Sequence, residues 1–110
     1  MNTTINKEGD ISILSLTGSL DTNTSKEAED QINKLLEEGN IKLLIDLTDL
    51  DYISSSGLRI LLSTSKKLKS LRGEMRICGL NETVNEVFEI SGFTMIFKIL
   101  KTIEEAKASF

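Results

Sequence analysis

The chain has 110 residues and a formal net charge of −4, and it contains no His, Trp or Pro and a single Cys. A chain of this length buries roughly two-thirds of the surface that its unfolded form exposes, which suffices for one core but not for a deep multi-substrate cleft. The negative charge argues against nucleic-acid binding, because nucleic-acid-binding proteins carry a basic stripe that neutralises phosphates. We therefore expect a single domain over residues 1–110 that binds no nucleic acid.

No segment of the sequence predicts secretion or membrane insertion. The N-terminal residues lack the apolar stretch of a signal peptide, and nowhere do about 18 apolar residues follow one another. The lone Cys78 cannot form an internal disulfide, and it lies in an apolar run that is typical of a buried strand. These features predict a cytoplasmic protein without membrane contact; a redox or catalytic role for Cys78 is the alternative.

The first third of the chain predicts a hairpin and a helix. Alternating apolar residues at 11–16 indicate a strand that pairs with residues 4–6 across a turn at 8–10. Thr24 and Glu27 have the spacing of a capping box, so a helix is expected to start there and to end before Gly39. Its apolar stripe consists of Ala28, Ile32, Leu35 and Leu36.

The middle of the chain predicts a strand-helix-strand unit. Residues 41–47 are almost continuously apolar, which is typical of a central strand covered on both faces. A helix follows until Gly73, and residues 75–78 form the next strand, so the two strands should be parallel. The helical spacing comes from Leu58, Leu61, Leu62, Leu68 and Leu71.

The last third predicts two helices flanking a strand. Asn81 can cap a helix that buries Val84, Val87 and Phe88 and ends near residues 91–92. Residues 96–100 then indicate a strand. A final helix opens at a second capping box, Thr102 with Glu105, and places Ile103, Ala106 and Phe110 on one side. The whole pattern predicts an α/β fold in which a mixed, mostly parallel sheet of about five strands packs with about four helices.

Three consecutive serines, Ser54, Ser55 and Ser56, lie where the central strand region passes into the long helix. Helix capping explains such residues without any further function, since the first N–H groups of a helix lack partners within it. The same position also suits a phosphorylation switch, because a helix N-terminus tolerates the roughly two negative charges of a phosphoryl group. A docked partner would then be repelled, and whichever of Asp21, Asp46, Asp49 or Asp51 lies close to the serines would add to the repulsion.

Three blocks of the sequence carry a resemblance to a known family. They are residues 16–21, residues 44–48 continuing through 53–58, and residues 87–93. With these blocks in this order, the chain resembles a STAS domain, the family of bacterial anti-sigma factor antagonists. The resemblance implies that Ser56 is the phosphoacceptor, with Ser55 in reserve. It also implies that the unphosphorylated form binds an anti-sigma factor with serine kinase activity, that phosphorylation releases it, and that a serine phosphatase resets it.

The chain departs from this family pattern at two positions. The family commonly has Asp where this chain has Ser54, and Gly where it has Arg59. Arg59 could neutralise a phosphate on the first helical turn, and a solvated surface arginine is the alternative. The expected partner interface comprises Asp21, Asp46, Ser54, Ser55, Ser56, Gly57, Leu58 and Arg59.

Catalysis is not expected from this sequence. The absence of His excludes a Ser-His pair and removes a usual zinc ligand, and there is no Gly-rich phosphate loop. We therefore predict that the protein is not an enzyme and has no catalytic residue, metal or cofactor. We expect it to be a monomer or a weak homodimer. Two alternatives remain open: a constitutive scaffold that is not regulated by phosphorylation, and a domain that senses a nucleotide or anion at the helix N-terminus.

Overall fold

The computed structural model describes all 110 residues and contains six strands and four α-helices. The chain order is β1 (Asn2–Glu8), β2 (Ile11–Leu20), α1 (Ser25–Glu37), β3 (Lys42–Asp46), β4 (Leu50–Ile53), α2 (Ser55–Ser70), β5 (Glu74–Cys78), α3 (Glu82–Ile90), β6 (Ile99–Leu100) and α4 (Ile103–Ala108). A short 3₁₀ turn at Phe93–Met95 lies between α3 and β6. No helix is long and apolar enough to cross a membrane.

The sheet has the order β1-β2-β3-β5-β6, and β4 pairs with β2 beside this path. The hairpin β1–β2 is antiparallel, whereas β2–β3, β2–β4, β3–β5 and β5–β6 are all parallel. The predicted hairpin, the central position of β3 and the parallel β3–β5 pair are therefore confirmed. The mixed, mostly parallel α/β sheet is confirmed as well, with six strands where about five were expected.

Strand β4 is the strand that the sequence did not predict. It has only four residues, and its exposed Asp51 and Tyr52 lie between buried Leu50 and Ile53, so neither strict alternation nor a continuous apolar run is visible. Its partner is the second half of β2, since Leu20 pairs with Ile53, while the first half of β2 pairs with β3. The serine run consequently follows β4 rather than β3, and α2 starts beside the end of β2.

Each face of the sheet has its own core. On one face, α1, α2 and α3 cover strand residues such as Leu14, Leu43 and Ile45. On the other face, α4 contributes Ala106 to a smaller cluster that consists of Ile13, Leu44, Cys78 and Ala106, with Ile103 and Phe110 packed against it. Because side chains alternate along a strand, neighbouring residues of β3 belong to different cores. The predicted burial of Cys78 in a strand is confirmed.

The predicted capping boxes are only partly confirmed. Asn81 accepts from the Val84 N–H at 2.8 Å, and Thr102 accepts from the Glu105 N–H at 3.2 Å, so both residues cap their helices. The capping box at Thr24 is wrong. Thr24 has a helical backbone and makes no side-chain cap, because its hydroxyl accepts from the Asp21 N–H at 2.9 Å and donates to the Ser19 carbonyl at 2.8 Å.

The predicted strand at residues 96–100 is shorter than expected. Only Ile99 and Leu100 pair with β5. Phe97 is buried and its ring lies 6.1 Å from Phe88 and 5.5 Å from Phe93 between centroids, so aromatic packing fixes this part of the segment. The predicted helical leucine stripe also ends early, since Leu71 lies beyond the last residue of α2 and is 48% exposed.

Candidate functional site: the N-termini of α1 and α2

Ser54 is the residue that caps α2. Its backbone is extended, and its hydroxyl accepts a hydrogen bond from the Gly57 N–H at 3.3 Å. The Ser54 N–H in turn donates to the Leu20 carbonyl at 2.9 Å, which ties the start of the helix to the end of β2. Asp is about as good an N-cap as Ser, so Ser54 keeps the capping role that an Asp at this position would have. One of the three serines therefore has a structural explanation.

Gly57 and Leu58 anchor the first turn of α2 from beneath. A Cβ on Gly57 would lie 2.8 Å from Cγ1 of Ile53 and 3.0 Å from the Leu20 carbonyl oxygen, so only glycine fits without displacement. Leu58 is 4% exposed and belongs to the main core. These two predicted interface residues face the protein interior. They therefore fix the position of the first turn of α2, with Ser55 and Ser56, relative to the end of β2.

Ser55 and Ser56 are the hydroxyls left over from capping. Ser55 is exposed and its hydroxyl has no hydrogen-bond partner, whereas Ser56 is half-buried. The Ser56 Oγ lies 3.5 Å from the Thr22 Oγ1, across the gap between the start of α1 and the start of α2. Thr22 was not predicted as a site residue. The structure thus gives the two serines different surroundings, with Ser56 alone in contact with a second segment of the chain.

Asp21 builds the turn that brings Thr22 to Ser56. One carboxylate oxygen of Asp21 accepts from the Asn23 N–H at 2.9 Å and from the Thr24 N–H at 3.2 Å. The side chain of Ser25 donates to the Asp21 carbonyl. Asp21 therefore lies at the predicted interface, but its half-buried carboxylate is engaged in holding the loop that precedes α1.

Asp46 lies apart from the serines. It pairs across the sheet with Ser15, whose hydroxyl donates to the carboxylate at 3.3 Å, and it also contacts the thiol of Cys78 at 3.6 Å. Ser15 shares a sheet face with Ile13, which packs with α4. Asp46 therefore lies on the α4 face, opposite α2, and the structure does not bring it together with the other predicted interface residues.

A shallow groove runs between α1 and α2 beside Ser56. It is lined by Thr22, Ser25, Lys26, Glu29, Ser56, Arg59, Ile60 and Ser63. Arg59 is exposed and takes part in no ion pair or hydrogen bond. Lys26 pairs with Asp30 at 3.0 Å and with Glu29 at 3.8 Å, and the hydrogen bond to Asp30 raises the pKa of Lys26. The groove therefore has a paired cation on one wall and a free one on the other.

The remaining reactive groups lie elsewhere. Burial, followed by the charge of Asp46, raises the pKa of the Cys78 thiol to about 12, so this thiol is protonated and shielded at neutral pH. No three His, Cys, Asp or Glu side chains are grouped as a metal ion would require. The chemistry that the site offers is therefore hydroxyl groups at a helix start, next to two cations.

Comparison with known proteins agrees with this architecture. Residues 2–106 match the STAS domain family. The chain is 37% identical over 110 residues to BtrV of Bordetella bronchiseptica, whose name makes it a candidate anti-sigma factor antagonist, and the match covers 100% of this chain and 95% of BtrV. It is 30% identical over 87 residues to the anti-sigma-B factor antagonist of Listeria monocytogenes, covering 79% of this chain and 75% of that protein.

Solved structures share the fold. A candidate anti-sigma factor antagonist from Thermotoga maritima superposes with a TM-score of 0.93 at 24% identity, covering 97% of this chain and 92% of that one. The Bacillus cell fate determinant SpoIIAA in its phosphorylated form superposes with a TM-score of 0.75 at 20% identity, covering 98% of each chain. The family match over nearly all residues, together with the six-stranded fold that carries the serine run at the start of α2, shows that this chain belongs to the STAS domain family.

Proposed function

We propose that the protein is an anti-sigma factor antagonist that works as a switch between proteins, with Ser56 as its phosphoacceptor. In its unphosphorylated form it binds an anti-sigma factor with serine kinase activity through the surface around the start of α2. Phosphorylation of Ser56 releases it, and a serine phosphatase restores it. The names of the relatives from Bordetella and Listeria support the antagonist role, and the phosphorylated form of SpoIIAA supports modification within this fold.

The observation that carries the proposal is that the serines occupy different positions: Ser54 caps α2, whereas Ser56 lies in the groove. Ser54 caps α2, so a change at Ser56 leaves the start of the helix intact. Ser56 is half-buried beside Thr22 and is the one member of the serine run that lines the groove shared by α1 and α2. A modification there alters a surface made from two segments without breaking the helix, as a switch requires.

The chemical step is an ordinary phosphoryl transfer. The Ser56 hydroxyl oxygen forms a bond to the γ-phosphorus of ATP, ADP leaves with the bridging oxygen, and a base on the kinase takes the hydroxyl proton. The product adds about −1.5 to −2 charges at pH 7. The first turn of α2 contains no acidic side chain, so the helix dipole is free to stabilise the new charge. The fold therefore tolerates a charge that an acidic or closely packed partner surface would not.

Intact-mass analysis with the cognate anti-sigma kinase and ATP tests the acceptor. The wild-type protein should gain one phosphoryl group, the Ser56→Ala variant should gain none, and the matched Ser55→Ala variant should behave as wild type. Equal phosphorylation of the wild type and Ser56→Ala would move the acceptor elsewhere. Absence of phosphate on all three, with partner binding retained, would make the protein a constitutive scaffold.

A binding measurement tests the switch itself. The Ser56→Asp variant should bind the anti-sigma factor at least ~10-fold more weakly. The new carboxylate would lie in the contact with the partner, where it would either face acidic groups of the partner or be removed from water without a hydrogen-bond partner. Its melting temperature should stay within a few degrees of wild type, since surface changes usually cost under ~0.5 kcal/mol. A variant that binds normally, or one that unfolds, would contradict the proposal.

A further inference from the structure

We propose that Arg59 and Lys26 together receive the phosphoryl group of phosphorylated Ser56, so that the modified side chain is held over the groove between α1 and α2. This inference rests on the proposed function, because it concerns the modified form of the same serine. The role of Arg59 and Lys26 follows from the positions of their side chains in the groove beside Ser56.

Arg59 is placed to reach the phosphate from the same helix. Residues three apart on a helix are neighbours, with roughly 5–6 Å between their Cβ atoms, so Arg59 lies next to Ser56 on the surface of α2. Both side chains line the same groove. The Arg59 guanidinium has no ion-pair partner in the unmodified protein, and a guanidinium can bind two phosphate oxygens at once. No existing interaction must be broken for Arg59 to bind.

Lys26 approaches from the opposite wall. It lies in the first turn of α1 and lines the groove together with Ser56. Its present partners are carboxylates on its own helix, Asp30 at 3.0 Å and Glu29 at 3.8 Å, and the Lys26 side chain is 76% exposed. Exposed ion pairs of this kind contribute little to stability, because solvent and salt screen them. A phosphate dianion therefore competes for Lys26 more readily than for a buried, fully paired lysine.

The charges around the groove favour this arrangement. Glu29 is the one acidic side chain among the lining residues, against the two cations Arg59 and Lys26. The groove walls thus carry one excess positive charge before modification. A phosphoryl group on Ser56 adds about −1.5 to −2 charges, so the groove then carries a net charge of only about −0.5 to −1, whereas the same group on a neutral or acidic surface would leave its full negative charge uncompensated. The phosphorylated protein should accordingly hold its phosphate in a more ionised state than a free phosphoserine.

A phosphorus-31 NMR titration of protein carrying phosphoserine at position 56 tests the inference. The phosphoserine is introduced during synthesis of the chain, so no kinase is needed. The second pKa of the phosphate should lie below its ordinary value of about 6 in the wild-type background. In the Arg59→Gln variant it should rise by about half a unit, and in Lys26→Gln by a smaller amount. Both rises should shrink in 1 M salt, where the Debye length is about 3 Å.

Lys66→Gln provides the matched control. Lys66 is an exposed lysine on the same helix, ten positions from Ser56 and hence about 15 Å along the axis. Its removal changes the net charge equally but should leave the phosphate pKa unmoved. If Arg59→Gln and Lys26→Gln titrate like Lys66→Gln, the inference is wrong. Because the phosphate is installed without the kinase, the two experiments are independent. A negative titration would refute the roles of Arg59 and Lys26 and would leave Ser56 as the proposed phosphoacceptor. A negative mass analysis would refute Ser56 as the phosphoacceptor and would leave the titration result valid.

Discussion

The substitution Gly57→Ala tests how tightly the start of α2 packs against the end of β2. The new methyl group would lie 2.8 Å from Cγ1 of Ile53, 2.9 Å from Cγ of Leu20 and 3.0 Å from the Leu20 carbonyl oxygen. The side-chain atoms can move slightly, but the carbonyl cannot shift without disturbing its hydrogen bond from the Ser54 N–H. The first turn of α2 must therefore lift away from the strand.

The expected magnitude follows from two opposing effects. Alanine at a helical position is favoured over glycine by about 1 kcal/mol. Overpacking costs typically about 1–3 kcal/mol, and weakening the hydrogen bond between Leu20 and Ser54 costs about 1 kcal/mol more. We expect Gly57→Ala to lower the free energy of unfolding by about 1–3 kcal/mol, which for a chain of this size corresponds to a fall in Tm of about 5–15 °C.

Urea unfolding followed by circular dichroism measures this change, with an unchanged slope showing that two-state behaviour is retained. The matched control is Ser55→Ala, which alters an exposed residue of the same turn and should stay within about 0.5 kcal/mol of wild type. A Gly57→Ala variant as stable as wild type, or more stable, would show that helix propensity outweighs packing. Close packing would then not be the reason that position 57 holds glycine.

Three further predictions concern the caps and the buried thiol. Ser54→Ala should cost about 1 kcal/mol of stability through loss of the N-cap, and a cost no larger than that of Ser55→Ala would show that the cap is unimportant. Asn81→Ala should cost more, about 2 kcal/mol, because the amide also donates to the Leu50 carbonyl at 2.8 Å. Asn81→Ser, which keeps a capping hydroxyl and loses this donor, should fall between Asn81→Ala and wild type in chemical denaturation. Burial raises the pKa of the Cys78 thiol from 9.0 to about 12. Between pH 9 and pH 12 the folded state therefore binds more protons than the unfolded state. The free energy of unfolding should accordingly fall as the pH rises above about 9. Unfolding curves at pH 8 to 10.5 should show a shallower fall for Cys78→Ala, and parallel curves would contradict the assignment.

The fold was predictable where apolar residues form regular patterns within one segment. Strand β3 is apolar enough to be recognised alone, and its place at the centre of the sheet followed from that. Strand β4 was not predictable, because its identity depends on pairing of Tyr52 and Ile53 with distant residues of β2. The cap at Thr24 failed for a local reason: the hydroxyl is engaged with Ser19 and Asp21 in the loop before α1, whose conformation residue spacing does not reveal.

The parts of the site that are contiguous in sequence were predictable, but the contacts between segments distant in sequence were not. The serine run was located correctly at a helix start, and the cap could be expected from residue type, although not which serine supplies it. Thr22 and Lys26 were missed because they lie 34 and 30 positions from Ser56 in the sequence, and only the packing of the α1 region against α2 brings them close. Asp46 was grouped with the serines by closeness in sequence, yet strand alternation directs it to the opposite face.

The hydrogen bond from the Ser54 N–H to the Leu20 carbonyl has a consequence for any enzyme that acts on Ser56. It joins the end of β2, from which the loop before α1 leaves, to the start of α2, so the surface around Ser56 exists only when both segments are folded together. A synthetic peptide spanning the serines would lack Thr22 and the groove, and it should be a poor substrate. An enzyme that recognises this composite epitope would discriminate native molecules from unfolded or truncated ones, and the pool it modifies would be restricted to correctly folded copies.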